Sequence, residues 1–365
     1  MDNLQSHKEM PRRLPINGTF ELTGRCNLNC RMCYVHVNQQ RINELGYRER
    51  TADEWIDMAR QIFEAGTFKL LLTGGEPMLR PDFGKMYEAI AQMGFYITLY
   101  TNATLVNDQV MEILQRYPPH TLGITIYGVS PDTYKKVCGS AEAYERMISG
   151  LERLLRLPSH IELRATIIKD NLDEADKIER FIKSFGDRVT FNINQTIFQS
   201  GRDSIGDAAS CRLSPKQNAE FYCNRYRNMM EDYIQNPEKL TELRLDQEKS
   251  EKKTNESEKQ IQEKLPYGCH AGYQDYTITW DGRMLPCTLF GNCYTEPFEE
   301  GFMQAWRRLE SVMPKPDLPQ KCLECNVKQF CGVCIASRYC ETGDINGIPG
   351  YFCELAEVYN KLLDK

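Results

Sequence analysis

Residues 16–34 read INGTFELTGRCNLNCRMCY, and this stretch decides the fold because it joins a strand to a close group of cysteines. Ile16–Leu22 is a short run with apolar residues, which predicts a β-strand. Cys26, Cys30 and Cys33 follow it at the spacing C-x3-C-x2-C. In parallel α/β proteins the functional site lies at the C-terminal ends of the strands. The three thiols therefore mark the candidate site.

Further strands and helices alternate along the chain beyond this stretch. The predicted strands are Ile16–Leu22, Phe68–Thr73, Phe95–Tyr100, Leu122–Tyr127, Ile161–Ile168 and Val189–Ile193. The clearest helix carries Trp55, Met58 and Ile62 on one face, and Thr51 and Glu54 precede it at the spacing of a capping box. Parallel neighbouring strands need crossover connections, so the alternation predicts a parallel sheet. An eight-fold barrel needs about 250 residues, and we therefore predict an α/β fold with a partial (β/α)6 barrel.

The composition is that of a soluble globular protein. Hydrophobic residues make up 41% of the 365 residues and charged residues 26%. The net charge of −6 argues against a general nucleic-acid or membrane-surface binder, which needs a basic face. No apolar stretch approaches the roughly 20 residues that span a bilayer, and the first residues lack a signal peptide's apolar core. We expect a cytoplasmic protein, where 15 cysteines indicate metal binding rather than disulfides.

Composition divides the chain into four segments. Residues 1–15 form a polar tail, and residues 16–235 carry the barrel pattern and one more helix. Charged and polar residues dominate 236–266, which indicates a linker, a mobile loop or a polar helix. Residues 267–365 contain most of the cysteines, which predicts a second domain.

The first three cysteines suit an iron–sulfur cluster. Thiolates are the soft ligands of such clusters, which normally take four of them. Three cysteines in one loop could leave one iron open for a substrate, as catalytic zinc sites keep one position open. A structural zinc site is the alternative, since His36 is near enough in sequence to supply a fourth ligand.

The segment from Cys26 to Tyr34, CNLNCRMCY, resembles the signature of the radical S-adenosylmethionine (radical SAM) superfamily. The resemblance implies that Cys26, Cys30 and Cys33 bind a [4Fe–4S] cluster whose open iron takes the amino and carboxylate groups of S-adenosyl-L-methionine. It also implies that one electron breaks the sulfur–C5′ bond, and that the resulting 5′-deoxyadenosyl radical abstracts hydrogen from a substrate.

The end of the second predicted strand supports this resemblance. Its sequence TGGEP, residues 73–77, is similar to the GGEP motif of the family. The resemblance implies that Gly74, Gly75 and Glu76 contact the methionine amino group. By itself the motif is only a turn. The family also places nucleoside contacts at positions that match Asn102 and Thr125, and Arg164 could bind the carboxylate of S-adenosyl-L-methionine through two hydrogen bonds. Each has a plain alternative, because Asn102 could cap a turn, Thr125 could be an ordinary strand residue and Arg164 could be solvated.

The C-terminal cysteines form two patterns. Cys269 precedes Gly282-x4-Cys287, and Cys322-x2-Cys325-x5-Cys331-x2-Cys334 is followed by Cys340 and Cys353. Paired CxxC elements usually indicate zinc. Here, however, the order resembles the SPASM domain, which binds two auxiliary [4Fe–4S] clusters, and residues 280–287 resemble its opening hairpin with Asp281-Gly282 as the turn.

The SPASM resemblance implies a set of ligands for each auxiliary cluster. The outer cluster would be held by Cys322, Cys325, Cys331 and Cys353. The inner cluster would be held by Cys269 and Cys287 with a returning cysteine, for which Cys334 is preferred and Cys340 or Cys293 are alternatives. The family usually has three residues between the last two cysteines of the second motif, whereas Cys331 and Cys334 have two between them. The remaining cysteines are predicted to be mostly buried small hydrophobic residues.

The resemblance also implies a substrate class. Radical SAM enzymes with a SPASM domain often modify ribosomally synthesised peptides by thioether or C–C crosslinking or by epimerisation. Radical modification of a small molecule, of the haem-precursor or sugar type, is the alternative. Sulfatase-type maturation is disfavoured, because those members place an aspartate directly after the cysteine of the Gly-x4-Cys motif and this sequence has Thr288. A zinc scaffold without catalysis is a further alternative.

The expected partners follow from the same resemblance. They are a peptide substrate and an electron donor such as flavodoxin or ferredoxin. Only 25 residues precede Cys26, too few for the winged-helix module that grips leader peptides in many relatives. Leader binding would therefore need another surface or a separate leader-binding protein.

Overall fold

Eight strands form one sheet in the computed structural model, which describes residues 13–235, 265 and 267–363. The strands are β1 Asn17–Glu21, β2 Lys69–Thr73, β3 Tyr96–Thr101, β4 Thr121–Ile126, β5 His160–Thr166, β6 Val189–Asn194, β7 Asp275–Ile278 and β8 Met284–Leu285. Their order across the sheet is β6-β5-β4-β3-β2-β1-β7-β8. Neighbouring strands from β6 to β7 are parallel, and β8 is antiparallel to β7.

Helices alternate with the first six strands and continue through the C-terminal region. They are α1 Gln39–Leu45, α2 Ala52–Glu64, α3 Phe83–Ala91, α4 Asp108–Arg116, α5 Pro131–Cys138, α6 Ala143–Leu154, α7 Ala175–Lys183, α8 Ala208–Cys211, α9 Pro215–Gln235, α10 Pro297–Glu300, α11 Phe302–Val312, α12 Gln320–Leu323, α13 Ile335–Thr342 and α14 Gly350–Leu363. The six predicted strands are confirmed to within one or two residues at each end, and the prediction of a partial (β/α)6 barrel is confirmed.

The sequence pattern explains how the first helix of the barrel packs. Thr51 and Glu54 form the expected capping box at the start of α2, each side chain bonding the other residue's backbone N–H. Trp55 lies fully buried in the same core as Phe20 of β1 and Leu72 of β2. Alternate strand residues thus face the helices, while those between them face the concave side of the sheet.

The C-terminal region continues the barrel sheet. β7 pairs with β1 from Asn17 opposite Asp275, and the predicted hairpin is confirmed, with Gly282 N donating to Thr279 O at 2.8 Å. Gly18 is needed because a Cβ there would lie 2.6 Å from the Tyr276 hydroxyl. Tyr276 also lies in the main core of the barrel. The two regions therefore share one sheet and one core.

Two predicted segments fall on residues that the structure does not describe. Of the tail at 1–15, only 13–15 are described, and of the charged segment at 236–266, only residue 265. Among the described residues, the structure contains no helix that is long and apolar enough to cross a membrane.

Candidate active site

The loop that carries the first three cysteines is held by the end of α5. Backbone N–H groups of Asn29 and Arg31 donate to the carbonyls of Cys138 and Val137 at 2.9 and 3.2 Å. Cys30 is buried, whereas Cys26 and Cys33 are half-buried. The loop therefore turns inward at the C-terminal end of β1, as the sequence predicts.

Protein groups surround the sulfur atoms of this loop. Leu28 N donates to Cys26 Sγ at 3.4 Å, and His36 N donates to Cys33 Sγ at 3.3 Å. Burial, and after it the Glu76 carboxylate, raises the pKa of Cys26 to about 12. Burial also raises the pKa of Cys33. Because metal ligation requires thiolates, binding iron here must release protons.

The Gly-Gly-Glu-Pro turn packs directly against the residues that lead into the cysteine loop. Gly75 N donates to Thr23 O at 2.8 Å, and Glu76 N donates to Arg25 O at 3.0 Å. A Cβ on Gly74 or on Gly75 would collide with these same carbonyls, and Gly74 has φ of 138°. The glycines are therefore required for the close approach of two backbone segments, which fixes the cysteine loop to the end of β2.

Glu76 is buried and accepts three hydrogen bonds. Its Oε1 accepts from Met78 N at 3.1 Å and from Thr101 Oγ1 at 2.9 Å, and its Oε2 accepts from Asn102 N at 2.8 Å. Burial raises the pKa of Glu76 to about 7, although each of these hydrogen bonds lowers it. The carboxylate thus joins the end of β2 to the end of β3.

Asn102 sits in a closed polar network beside Cys26. Its Nδ2 lies 3.1 Å from Asn27 Oδ1 and 3.7 Å from Cys26 Sγ, and its Oδ1 accepts from Thr104 N at 3.0 Å. Asn27 Nδ2 in turn donates to Thr104 Oγ1 at 2.7 Å. Asn102 therefore caps the turn after β3, which is the alternative role that the sequence suggested for it. It also donates to a cysteine sulfur.

Arg164 lies on the concave face, where it is bonded to protein groups. Its Nη1 donates to Tyr100 Oη at 2.9 Å and to Glu162 at 3.0 Å, and its guanidinium covers the Tyr100 ring at 4.5 Å. Thr125 is half-buried on β4, opposite Arg164 in register. A Cβ on Gly123 would collide with the Tyr100 ring, so this glycine makes room for the pair.

A buried ion pair beside the cysteine loop is not anticipated from the sequence. Arg202 donates to both oxygens of Glu21 at 2.8 Å, and their side chains are 6% and 0% exposed. Arg202 also lies over the ring of Tyr34, and its charge counters the rise in the pKa of Cys33. A charged residue at the end of an apolar strand was the one available signal, at Glu21. Nothing local in the sequence marks Arg202.

The cysteines of the expected inner cluster lie close enough together for the charge of one to raise the pKa of another. Burial, followed by the thiols of Cys334 and Cys269, raises the pKa of Cys287. The thiols of Cys340 and Cys293 instead donate to the carbonyls of Leu289 and Val312, at 3.3 and 3.2 Å. Cys334 is thus grouped with Cys269 and Cys287. Cys340 also lies near this group, because the charge of Cys287 contributes to raising the pKa of Cys340.

The cysteines of the expected outer cluster are grouped around α14. Burial, followed by the thiols of Cys331 and Cys322, raises the pKa of Cys353, and Cys325 contributes too. In the described part of the chain, no three His, Cys, Asp or Glu side chains are grouped as they would be around a single metal ion. In a four-iron cluster each thiolate binds a different iron. The cysteines left over, which are Cys138, Cys211, Cys223, Cys293 and Cys340, are all buried as predicted.

Two family descriptions match the chain. Residues 20–192 match the radical SAM superfamily, and residues 269–326 match SPASM, described as an iron–sulfur cluster-binding domain. The first match covers the end of β1, the strands β2 to β5 and most of β6, and the second covers the β7–β8 hairpin with the first CxxC pair.

Known proteins of this kind resemble the chain along most of its length. An AdoMet-dependent heme synthase of Methanosarcina barkeri is 28% identical over 336 residues, which are 89% of this chain and 92% of that protein. The antilisterial bacteriocin subtilosin biosynthesis protein AlbA of Bacillus subtilis is 22% identical, over 88% of this chain and 67% of that protein.

Solved structures share the fold. Streptococcus suis SuiB bound to its precursor peptide SuiA superposes with a TM-score of 0.67 at 19% identity, covering 93% of this chain and 76% of that one. Residues 20–192 therefore form a domain of the radical SAM superfamily, whose cofactors are a [4Fe–4S] cluster and S-adenosyl-L-methionine, and residues 269–326 form an iron–sulfur cluster-binding SPASM domain.

Proposed function

We propose that Cys26, Cys30 and Cys33 hold the cluster that binds S-adenosyl-L-methionine, and that the substrate is a ribosomally synthesised peptide. The observation that carries the first part is the packing of the three-cysteine loop against the Gly-Gly-Glu-Pro turn through paired backbone hydrogen bonds. Three thiolates leave one of four irons without a protein ligand. That vacant iron suits the amino and carboxylate groups of the nucleoside.

The surroundings of these thiols fit an iron–sulfur cluster. The donors are soft sulfurs, and N–H groups of Leu28, His36 and Asn102 are directed at two of them. Hydrogen bonds from groups that surround the ligands orient and stabilise thiolates. When bound, the cluster supplies the electron that cleaves the sulfur–C5′ bond and yields a 5′-deoxyadenosyl radical.

The residues of the chain do the positioning. The carboxylate of Glu76 joins the turn after β2 to the end of β3, and its backbone N–H bonds the Arg25 carbonyl directly before the cysteine loop. The proposed contacts of S-adenosyl-L-methionine are Gly74, Gly75 and Glu76 for the amino group, Arg164 for the carboxylate, and Asn102 and Thr125 for the nucleoside.

The charges of the concave face support a peptide substrate. Two arginines near its C-terminal edge are paired with glutamates, Arg202 with Glu21 and Arg164 with Glu162. Neutral hydrogen-bonding groups such as Thr125 and Tyr100 accompany them. Such a face suits the amide groups of a peptide better than several free carboxylates. The similarity to AlbA and the fold of SuiB, which binds a precursor peptide, point the same way.

Radical modification of a haem precursor is the second candidate. The observation that favours it is the similarity to the heme synthase, which extends over nearly the whole of both chains. Carboxylate-rich haem precursors would require Arg164 or Arg202 to exchange its glutamate for the substrate. The pairing of these two arginines with glutamates therefore favours the peptide over the haem precursor.

We further propose that an electron donor such as flavodoxin or ferredoxin reduces the first cluster in the cytoplasm. A separate leader-binding protein is proposed to present the peptide. The charged residues between α9 and β7 fall outside the described residues and contribute nothing to this proposal.

Anaerobic reconstitution tests the first part of the proposed function. The parent protein should convert S-adenosyl-L-methionine to 5′-deoxyadenosine with a strong reductant, and the Cys26→Ala/Cys30→Ala/Cys33→Ala variant should not. A Cys223→Ala variant is the control, because its thiol is buried on α9 and lies outside the three-cysteine loop. Cleavage retained in the triple variant would contradict the assignment.

Isotope transfer tests the substrate class. A candidate precursor peptide and a haem precursor, each deuterated at its carbon–hydrogen positions, are supplied separately to the reconstituted enzyme. Deuterium that appears in 5′-deoxyadenosine with the peptide supports the first candidate. Deuterium that appears only with the haem precursor overturns it in favour of the second.

A further inference from the structure

Arg338 is a buried arginine in the C-terminal region, after the residues that match the SPASM domain. It lies on α13, which begins directly after Cys334, and only 7% of its surface is exposed. Its Nη1 lies 3.4 Å from Cys322 Sγ and 2.8 Å from Gly347 O, and it donates to both. The guanidinium therefore points at a sulfur that belongs to the expected outer cluster.

The charge of Arg338 lacks a carboxylate partner. In the part of the chain that the structure describes, its hydrogen bonds go to the sulfur and the carbonyl, and no ion pair includes it. A buried guanidinium without an anion is strongly unfavourable, so some negative group must compensate for it. Four thiolates around an iron–sulfur core form such an anion. Arg338 would lie directly beside it, because its guanidinium is hydrogen-bonded to the sulfur of Cys322.

The helix that carries Arg338 also reaches the expected inner cluster. Cys334 is the N-cap of α13, and its Sγ accepts from Ser337 N at 3.4 Å. Arg338 N donates to the Cys334 carbonyl at 3.0 Å, one helical turn later. A single short helix thus connects a ligand of one cysteine group to a cation at the other.

We propose that Arg338 is the counter-ion of the outer auxiliary cluster and raises its reduction potential. This rests on the proposed ligand set of Cys322, Cys325, Cys331 and Cys353. Reduction adds one electron, and hence one negative charge, to the cluster. A fixed cation that is hydrogen-bonded to a ligand sulfur stabilises the reduced state more than the oxidised one. No bond is made or broken at Arg338, which acts through the cluster as a positioning residue.

The test measures reduction potentials in protein that lacks the first cluster. The Cys26→Ala/Cys30→Ala/Cys33→Ala variant is reconstituted anaerobically, so that iron and the paramagnetic signals report on the C-terminal clusters alone. Arg338→Gln, Arg338→Lys and the exposed control Arg307→Gln are each added to this background. Iron and sulfide content and EPR-monitored redox titrations are compared, and Cys322→Ala identifies the signal of the outer cluster.

The inference predicts that Arg338→Gln moves the potential of the outer cluster to more negative values while the inner cluster keeps its own. Arg338→Lys should retain most of the parent potential, and Arg307→Gln all of it. Arg338→Gln could also fail to retain the cluster while Arg338→Lys retains it at a near-parent potential. This result supports the inference too, because it shows that the cluster requires the positive charge. Unchanged potentials in Arg338→Gln with full iron content would overturn the inference.

A different result would overturn the ligand assignment on which the inference rests. If the background variant binds no C-terminal iron, or if Cys322→Ala removes no signal, the proposed outer cluster itself is wrong. The two failures are distinguishable. The inference fails when the potential is unchanged in protein whose outer-cluster signal is lost in Cys322→Ala, whereas the ligand assignment fails when there is no such signal to compare.

Discussion

The carboxylate of Glu76 is bonded to both the turn after β2 and the end of β3. Its three donors are the backbone N–H groups of Met78 and Asn102 and the hydroxyl of Thr101. Since the N–H groups can only donate, the arrangement favours the ionised form of the acid. Burial works in the opposite direction and raises the pKa of Glu76 to about 7. The site is therefore sensitive to protonation in the neutral range.

We expect formation of 5′-deoxyadenosine to fall as the pH is lowered through about 7. The pKa is raised, so the carboxylate predominates only above that value. Protonation below it replaces one acceptor with a donor and loosens Asn102 beside Cys26. Glu76→Gln should have low activity that no longer varies with pH in this range, measured with titanium(III) citrate as reductant. The exposed Glu64→Gln is the control and should keep the parent profile, whereas a parent-like profile in Glu76→Gln would refute this role.

The ion pair of Glu21 and Arg202 makes a prediction about stability. Removing one partner leaves a buried charge uncompensated, so Arg202→Met should lower the free energy of unfolding by about 3–5 kcal/mol. The double variant Glu21→Leu/Arg202→Met should recover most of this loss, because neither charge remains. Denaturant unfolding of anaerobically reconstituted protein measures both.

The exposed pair of Arg60 and Asp57 provides the comparison. Their side chains are 56% and 59% exposed, and Arg60→Met should cost less than about 1 kcal/mol. If Arg202→Met costs no more than Arg60→Met, the buried pair does not stabilise this part of the site.

At the scale of elements, α6 supports the turn that holds Asn102. Gly150 of this helix packs against the carbonyl of Ala103, and a Cβ at this position would collide with that carbonyl. Ala103 itself has φ of 59°, so the turn cannot easily move away. Close packing of helix against turn thus transmits the position of α6 to the residues beside Cys26.

Gly150→Ala should therefore lower the free energy of unfolding by about 1–3 kcal/mol through overpacking, although alanine favours helices. It should also reduce cleavage of S-adenosyl-L-methionine, because Asn102 is displaced. Ser149→Ala, on the exposed face of the same helix, should stay within about 0.5 kcal/mol of the parent. A stabilised Gly150→Ala variant would show that the turn yields freely.

The elements also show how far sequence reasoning reaches. The six barrel strands are predictable because each is a local apolar run between helical patterns, and the capping box of α2 is complete within four residues. β7 is not, because its pairing with β1 joins residues about 258 positions apart through backbone groups that carry no sequence signature. The pair of Glu21 and Arg202 could not be predicted either, because its two residues are 181 positions apart in the sequence. The three-cysteine loop could be predicted, because its ligands lie within eight residues and thiolates are the ligands that iron–sulfur clusters require.

At the scale of the whole molecule, three cysteine groups share one sheet and its flanking helices. The inner C-terminal group includes Cys269, Cys287 and Cys334, whose thiols influence one another, while Cys293 and Cys340 donate to carbonyls. Cys334→Ala should therefore remove the iron of one cluster, and Cys293→Ala should not. Iron analysis with EPR of the reconstituted variants measures this. Iron loss in Cys340→Ala with full iron in Cys334→Ala would reassign the returning ligand.

The most direct test of the account is whether S-adenosyl-L-methionine binds at an iron that the first three cysteines leave vacant. EPR spectra of the reduced, reconstituted protein are recorded with and without the nucleoside, in the parent and in Cys26→Ala/Cys30→Ala/Cys33→Ala. The account predicts that S-adenosyl-L-methionine changes the signal of one cluster in the parent and of none in the triple variant. A change that persists in the triple variant, or no change in a parent that contains the cluster, would contradict it.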